Sequence, residues 1–109
     1  MIRLTTPIHT FLFDSDPTEY AKILVTYAQG NRIVMEKEKG DLTVEQETGP
    51  EGEPIWAASF RLTQEETKAF SPNSAVKIQI RVLTEADEAL ASEQIRVLVS
   101  DVLNDEVLT

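Results

Sequence analysis

The sequence predicts an all-β protein, an antiparallel sandwich of about seven strands with one short helical turn over residues 63–70. Three observations carry this. Val76, Ile78, Ile80 and Val82 alternate with Lys77, Gln79 and Arg81, and a period of two puts the branched apolar side chains on one face of a half-buried strand. Leu62-Thr63-Gln64-Glu65-Glu66 places a Glu three positions after a Thr, the capping-box pattern in which both side chains satisfy free N–H groups at a helix start. Strand-like runs also recur at intervals of roughly ten residues with turn signals between them.

Pro7 favours an extended shape before it, and Ile8 to Phe13 follows as the first strand. Asp14-Ser15-Asp16-Pro17 breaks that run with turn chemistry. Tyr20 to Gln29 is the second strand, with Ile23, Val25 and Tyr27 on one face and Leu24, Thr26 and Ala28 on the other. Gly30-Asn31 joins it to Arg32–Glu38 as a hairpin, because Gly accepts the positive φ that the first position of a type II′ turn requires. Lys39-Gly40-Asp41 turns the chain into a strand from Leu42 to Gln46, and Gly49 to Pro54 is an exposed connection.

Ile55 to Leu62 resumes as a strand with Trp56, Ala58, Phe60 and Leu62 on one face. Trp56 is expected at the centre of the core, since one large aromatic can fill the space between two sheets. The capped helix stops at Ser71-Pro72-Asn73-Ser74, ahead of the Val76 strand. Thr84 to Glu88 is a polar loop, and Ala91 to Leu98 is expected to be the last strand. One domain over residues 1–103 is expected, with 104–109 as a flexible C-terminal tail.

The chain of 109 residues carries 19 acidic and 10 basic side chains, a formal net charge of −9. Its lysines and arginines are scattered, so counterion release has no basic stripe to act through, and nucleic-acid binding is not expected. Cysteine is absent, which removes disulfides, thiolate metal sites and a Cys nucleophile. No apolar run is long enough to span a membrane, and the N-terminus lacks a signal-peptide core. The expected location is the cytoplasm, with no membrane partner.

His9 is the one histidine, and nothing at metal-ligand spacing accompanies it. There is no Gly-x-Ser-x-Gly elbow to support Ser-His-Asp chemistry, and no phosphate-binding motif. Asp14-Ser15-Asp16 lacks the Gly and closing Glu of a calcium loop, so an Asx-turn role is the better reading. The acids at Glu45, Glu47, Glu51 and Glu53 alternate along a strand and loop where solvation is the default. The expectation is a protein with no catalytic residues, metal or cofactor. What remains are strand edges and the apolar residues Leu24, Ala28, Leu83 and Leu98 on nominally outward faces, the candidate interface. A carbohydrate-binding sandwich using Tyr20, Tyr27 and Trp56 is a lesser reading.

Arg3-Leu4-Thr5-Thr6-Pro7-Ile8-His9-Thr10-Phe11, Val25-Thr26-Tyr27-Ala28-Gln29, Leu62-Thr63-Gln64-Glu65-Glu66-Thr67, Gln79-Ile80-Arg81-Val82 and Ala89-Leu90-Ala91-Ser92 follow one another in this order. In these segments the chain resembles small prophage-encoded proteins of Gram-positive bacteria, associated with the late structural genes of tailed phages. Its order of elements is also similar to the N-terminal immunoglobulin-like domain of phage baseplate upper proteins. The resemblance implies an immunoglobulin-like sandwich and a non-enzymatic structural or assembly role, tail or baseplate associated. It also implies phage protein partners or further copies of the chain, and a place in the host cytoplasm during assembly or in the virion. The net charge suggests an alternative, an acidic decoy or inhibitor that occupies a basic surface on a host or rival protein.

Overall fold

Every second residue of Lys22–Gln29 is buried, so the alternation read from the sequence becomes one core-facing side and one outward side. The computed structural model describes residues 1–92 and 94–109. Among them the strands are β1 (Ile8–Phe13), β2 (Lys22–Gln29), β3 (Arg32–Glu38), β4 (Thr43–Thr48), β5 (Pro54–Arg61), β6 (Ala75–Leu83), β7 (Ala89–Ala91) and β8 (Ile95–Leu98), with one α-helix, α1 (Gln64–Lys68). They form two antiparallel sheets. The smaller has the order β1-β5-β4, and the larger has the order β3-β2-β6 with β7 and β8 sharing the far edge of β6.

The chain crosses between sheets after β1, β3 and β5. In immunoglobulin lettering the smaller sheet is B-E-D and the larger is C′-C-F-G. The all-β sandwich is therefore what the sequence predicts, with one more strand than expected.

The extra strand comes from the last run, which is two short strands rather than one from Ala91 to Leu98. Ser92 ends the first of them. Its hydroxyl accepts the Ile80 N–H at 3.0 Å and its own N–H donates to the Ile80 carbonyl at 2.8 Å, so a side chain stands where ladder bonding would continue. The first strand begins earlier than expected because Thr84–Glu88 closes tightly, with Asp87 at a φ of 63°.

Other boundaries shift for local reasons. The second strand starts at Lys22 rather than Tyr20 because Asp16 caps a 3-10 turn over Pro17–Glu19 that takes Tyr20 as its C-cap. Gly30 has a φ of 59° while Asn31 does not enter the left-handed region, as a type II′ hairpin requires. Thr63 and Glu66 form both bonds of the capping box, at 3.1 and 2.9 Å.

Tyr27, Phe60 and Phe70 form the aromatic centre of the core, packed with Val25, Leu62, Val76 and Val99. Trp56 does not fill that place. It faces inward between Phe13 and Gln46 but stands near the β4–β5 hairpin end, four residues or roughly 13 Å along the strand from Phe60, and is only half-buried. Phe70, delivered by the exit from α1, supplies the buried volume instead.

Candidate functional site

Two groups of residues could carry function: a polar cluster between the sheets and the outer face of the larger sheet.

The interior cluster starts with His9, which points inward from β1 and meets the Tyr27 hydroxyl through Nδ1 at 2.5 Å. The two rings stack with centroids 5.6 Å apart, and Phe60 closes on both edge-on. Burial holds the imidazole pKa below its ordinary value and pushes the phenol far above its own. A neutral imidazole and a protonated phenol fit one bond, with Tyr27 donating and His9 Nδ1 accepting.

Beside them Lys37 from β3 lies over the Phe60 ring and donates to Glu66 Oε2 at 2.5 Å. Burial raises the Glu66 carboxyl, but the Lys37 hydrogen bond, the Thr63 amide and the Lys37 charge together hold it below the usual range. Each polar atom named here is satisfied by a neighbour, as a rigid buried network requires. The cluster ties β1, β2, β3 and α1 together. Asp16 is likewise occupied: the Thr18 hydroxyl and amide bond its carboxylate at 2.7 and 2.9 Å and lower its pKa. Tyr27 is 0% exposed, which removes it from any sugar-binding surface.

The outer face of the larger sheet is different. Residues directly opposite in an antiparallel ladder project to the same side. Leu24 lies opposite Arg81, Ala28 opposite Lys77 and Lys22 opposite Leu83 in β2 and β6. Leu98 lies opposite Ala75, and Arg96 opposite Lys77, in β8 and β6. All four residues expected at an interface therefore share one face.

Leu24 and Leu83 line a hollow of about 310 Å³ at the sheet edge whose other apolar walls are Ala89 and Ala91 with Val82 and Leu90 of the inward side, and Lys22 and Arg81 beside them. Leu24 and Ala28 continue into a second groove with Thr26 and Ile33. Leu98 lines neither hollow and stands apart beyond Ala75, 64% exposed.

Sequence reading missed the charges on this face. Lys22, Lys77, Arg81 and Arg96 gather there, against Glu36 and Glu38 at the β3 edge. The ion pairs among the described residues are Arg3–Asp101 and Lys37–Glu66, so none of these four cations has a carboxylate partner among them. The Lys77-Gln79-Arg81 alternation was the available signal; that Arg96 would join it required the β6–β8 register.

No helix among the described residues is long and apolar enough to cross a membrane. Comparison of the chain with protein-family models, with curated proteins and with solved structures finds no match in any of the three.

Proposed function

We propose that this chain is a non-enzymatic structural or assembly protein of a phage or prophage particle, tail or baseplate associated, acting through protein–protein contacts on the outer face of its larger sheet. One observation carries this reading. Leu24, Ala28, Leu83 and Leu98 lie on a single sheet face beside four cations without carboxylate partners among the described residues. Apolar surface with a charged surround is the composition of a protein-binding patch. The segments that resemble prophage structural proteins add the kind of partner, other structural proteins of the particle.

Affinity purification of particles from a strain that expresses the tagged chain tests it. The chain co-purifies with tails, and Arg96→Glu, at an exposed position, lowers recovery while leaving the circular dichroism spectrum unchanged. A chain that stays apart from particles ends this reading.

A further inference from the structure

The outer face of the smaller sheet is acidic at its β4 end, and that of the larger sheet carries Lys22, Lys77, Arg81 and Arg96 with Glu36 and Glu38 at its β3 edge. On the smaller sheet Leu12, Ala57 and Glu45 form one row across β1, β5 and β4, and Ile55 and Glu47 pair in another. Leu12 is 66% exposed and shares a shallow hollow with Ile55 and Asp14. This is an apolar centre flanked by the carboxylates of Asp14, Glu45 and Glu47, with Arg61 opposite Ile8 toward the other end. The larger sheet has the reverse: Leu24 and Leu83 around a hollow flanked by Lys22 and Arg81.

Resting on the assembly role proposed above, we propose that the partner seated on the larger sheet is a second copy of this chain, docked by the outer face of its smaller sheet. Leu12 is the apolar knob, and the hollow beside Leu24, Leu83 and Ala89 on the outer face receives it. Asp14, Glu45 and Glu47 then face Lys22, Arg81 and their neighbours. Charge decides the geometry. Larger sheet on larger sheet brings Lys77, Arg81 and Arg96 against their own kind, and smaller on smaller does the same for Glu45 and Glu47. Like-charge contact of this sort opposes association, so the self-matching arrangement loses to the head-to-tail one. Head-to-tail contact uses two different patches, so each copy keeps one of each free, and copies add into rings or open filaments.

Sedimentation of the full-length chain and two double variants tests this. Arg81→Glu with Lys22→Glu disables the basic face; Glu45→Lys with Glu47→Lys disables the acidic one. All four positions are exposed, and circular dichroism checks that the fold persists. The wild type forms oligomers that grow with concentration and dissociate at high salt. Each variant alone is a monomer, with association weakened by roughly a hundredfold or more. An equal mixture of the two associates again, because the intact basic face of one meets the intact acidic face of the other and the two reversed faces are themselves of opposite charge.

A wild type that remains monomeric to about 1 mM overturns the proposal, since an affinity weaker than that amounts to roughly 4 kcal/mol or less. So does a Glu45→Lys, Glu47→Lys variant that still self-associates, or a mixture that stays monomeric. A monomeric wild type that still co-purifies with tails overturns the self-pairing and leaves the assembly role standing; one that does neither removes both.

Discussion

Lys77 and Arg96 stand directly opposite each other across β6 and β8, two cations on the outer face of the larger sheet with no carboxylate partner among the described residues. Like charges in register weaken a strand pair. On the proposed contact role, this pair serves partner binding at a cost in stability. Lys77→Glu is expected to raise stability by about 0.5–1 kcal/mol in urea unfolding of dilute protein, while lowering recovery with the partner. Stability and binding moving in opposite directions is the diagnostic result.

The His9–Tyr27 bond makes stability depend on pH in a defined direction. Burial holds the folded imidazole below its ordinary value of 6.5, so the unfolded chain binds more protons as pH falls. The stabilisation is therefore complete above pH 6.5 and is lost as pH drops from there toward the folded value. Thermal melting at pH 7.5 and 5.5 is expected to give the lower midpoint at 5.5. His9→Gln flattens that difference.

Two substitutions around α1 separate a cap from a core contact. Thr63→Ala removes one half of the capping box and is expected to cost about 1 kcal/mol in chemical denaturation. Phe70→Ala deletes a fully buried ring that packs on Tyr27 and is expected to cost about 3–5 kcal/mol. A loss of that size approaches the whole stability of a small domain.

Trp56 reports on the correction to the core. A tryptophan at the centre of the sandwich would emit at short wavelength and resist acrylamide. The half-buried position next to Phe13 and Gln46 predicts partial quenching in the native state. Trp56→Phe is expected to cost about 1 kcal/mol, well below the Phe70 truncation.

Local chemistry made much of this fold legible. Ile23, Val25 and Tyr27 declare their face by alternation, Gly30 declares the hairpin by its backbone freedom, and Thr63 with Glu66 declares the helix start. Each of these needs only neighbours in the chain. Phe70 was missed because nothing in a Lys-Ala-Phe-Ser stretch says where a short helix releases the side chain that follows it. Ser92 was missed because a hydroxyl breaks a strand only when an N–H such as that of Ile80 is opposite. Outward placement of Leu24, Ala28, Leu83 and Leu98 was legible one strand at a time. Their meeting on one face depends on β6 lying between β2 and β8, a register between residues far apart in sequence.

Gln29 ends β2 with its side chain buried, and its amide both donates to the Ser71 carbonyl at 2.9 Å and accepts the Ser71 N–H at 2.7 Å. That is the exchange two paired strand residues make, performed by one side chain. The proline-bearing loop after α1 is thereby bolted to the central strand as an additional rung. Its amide at Ser71 should exchange with solvent only when β2 itself opens, so a segment whose composition marks it for early fraying is among the last to let go.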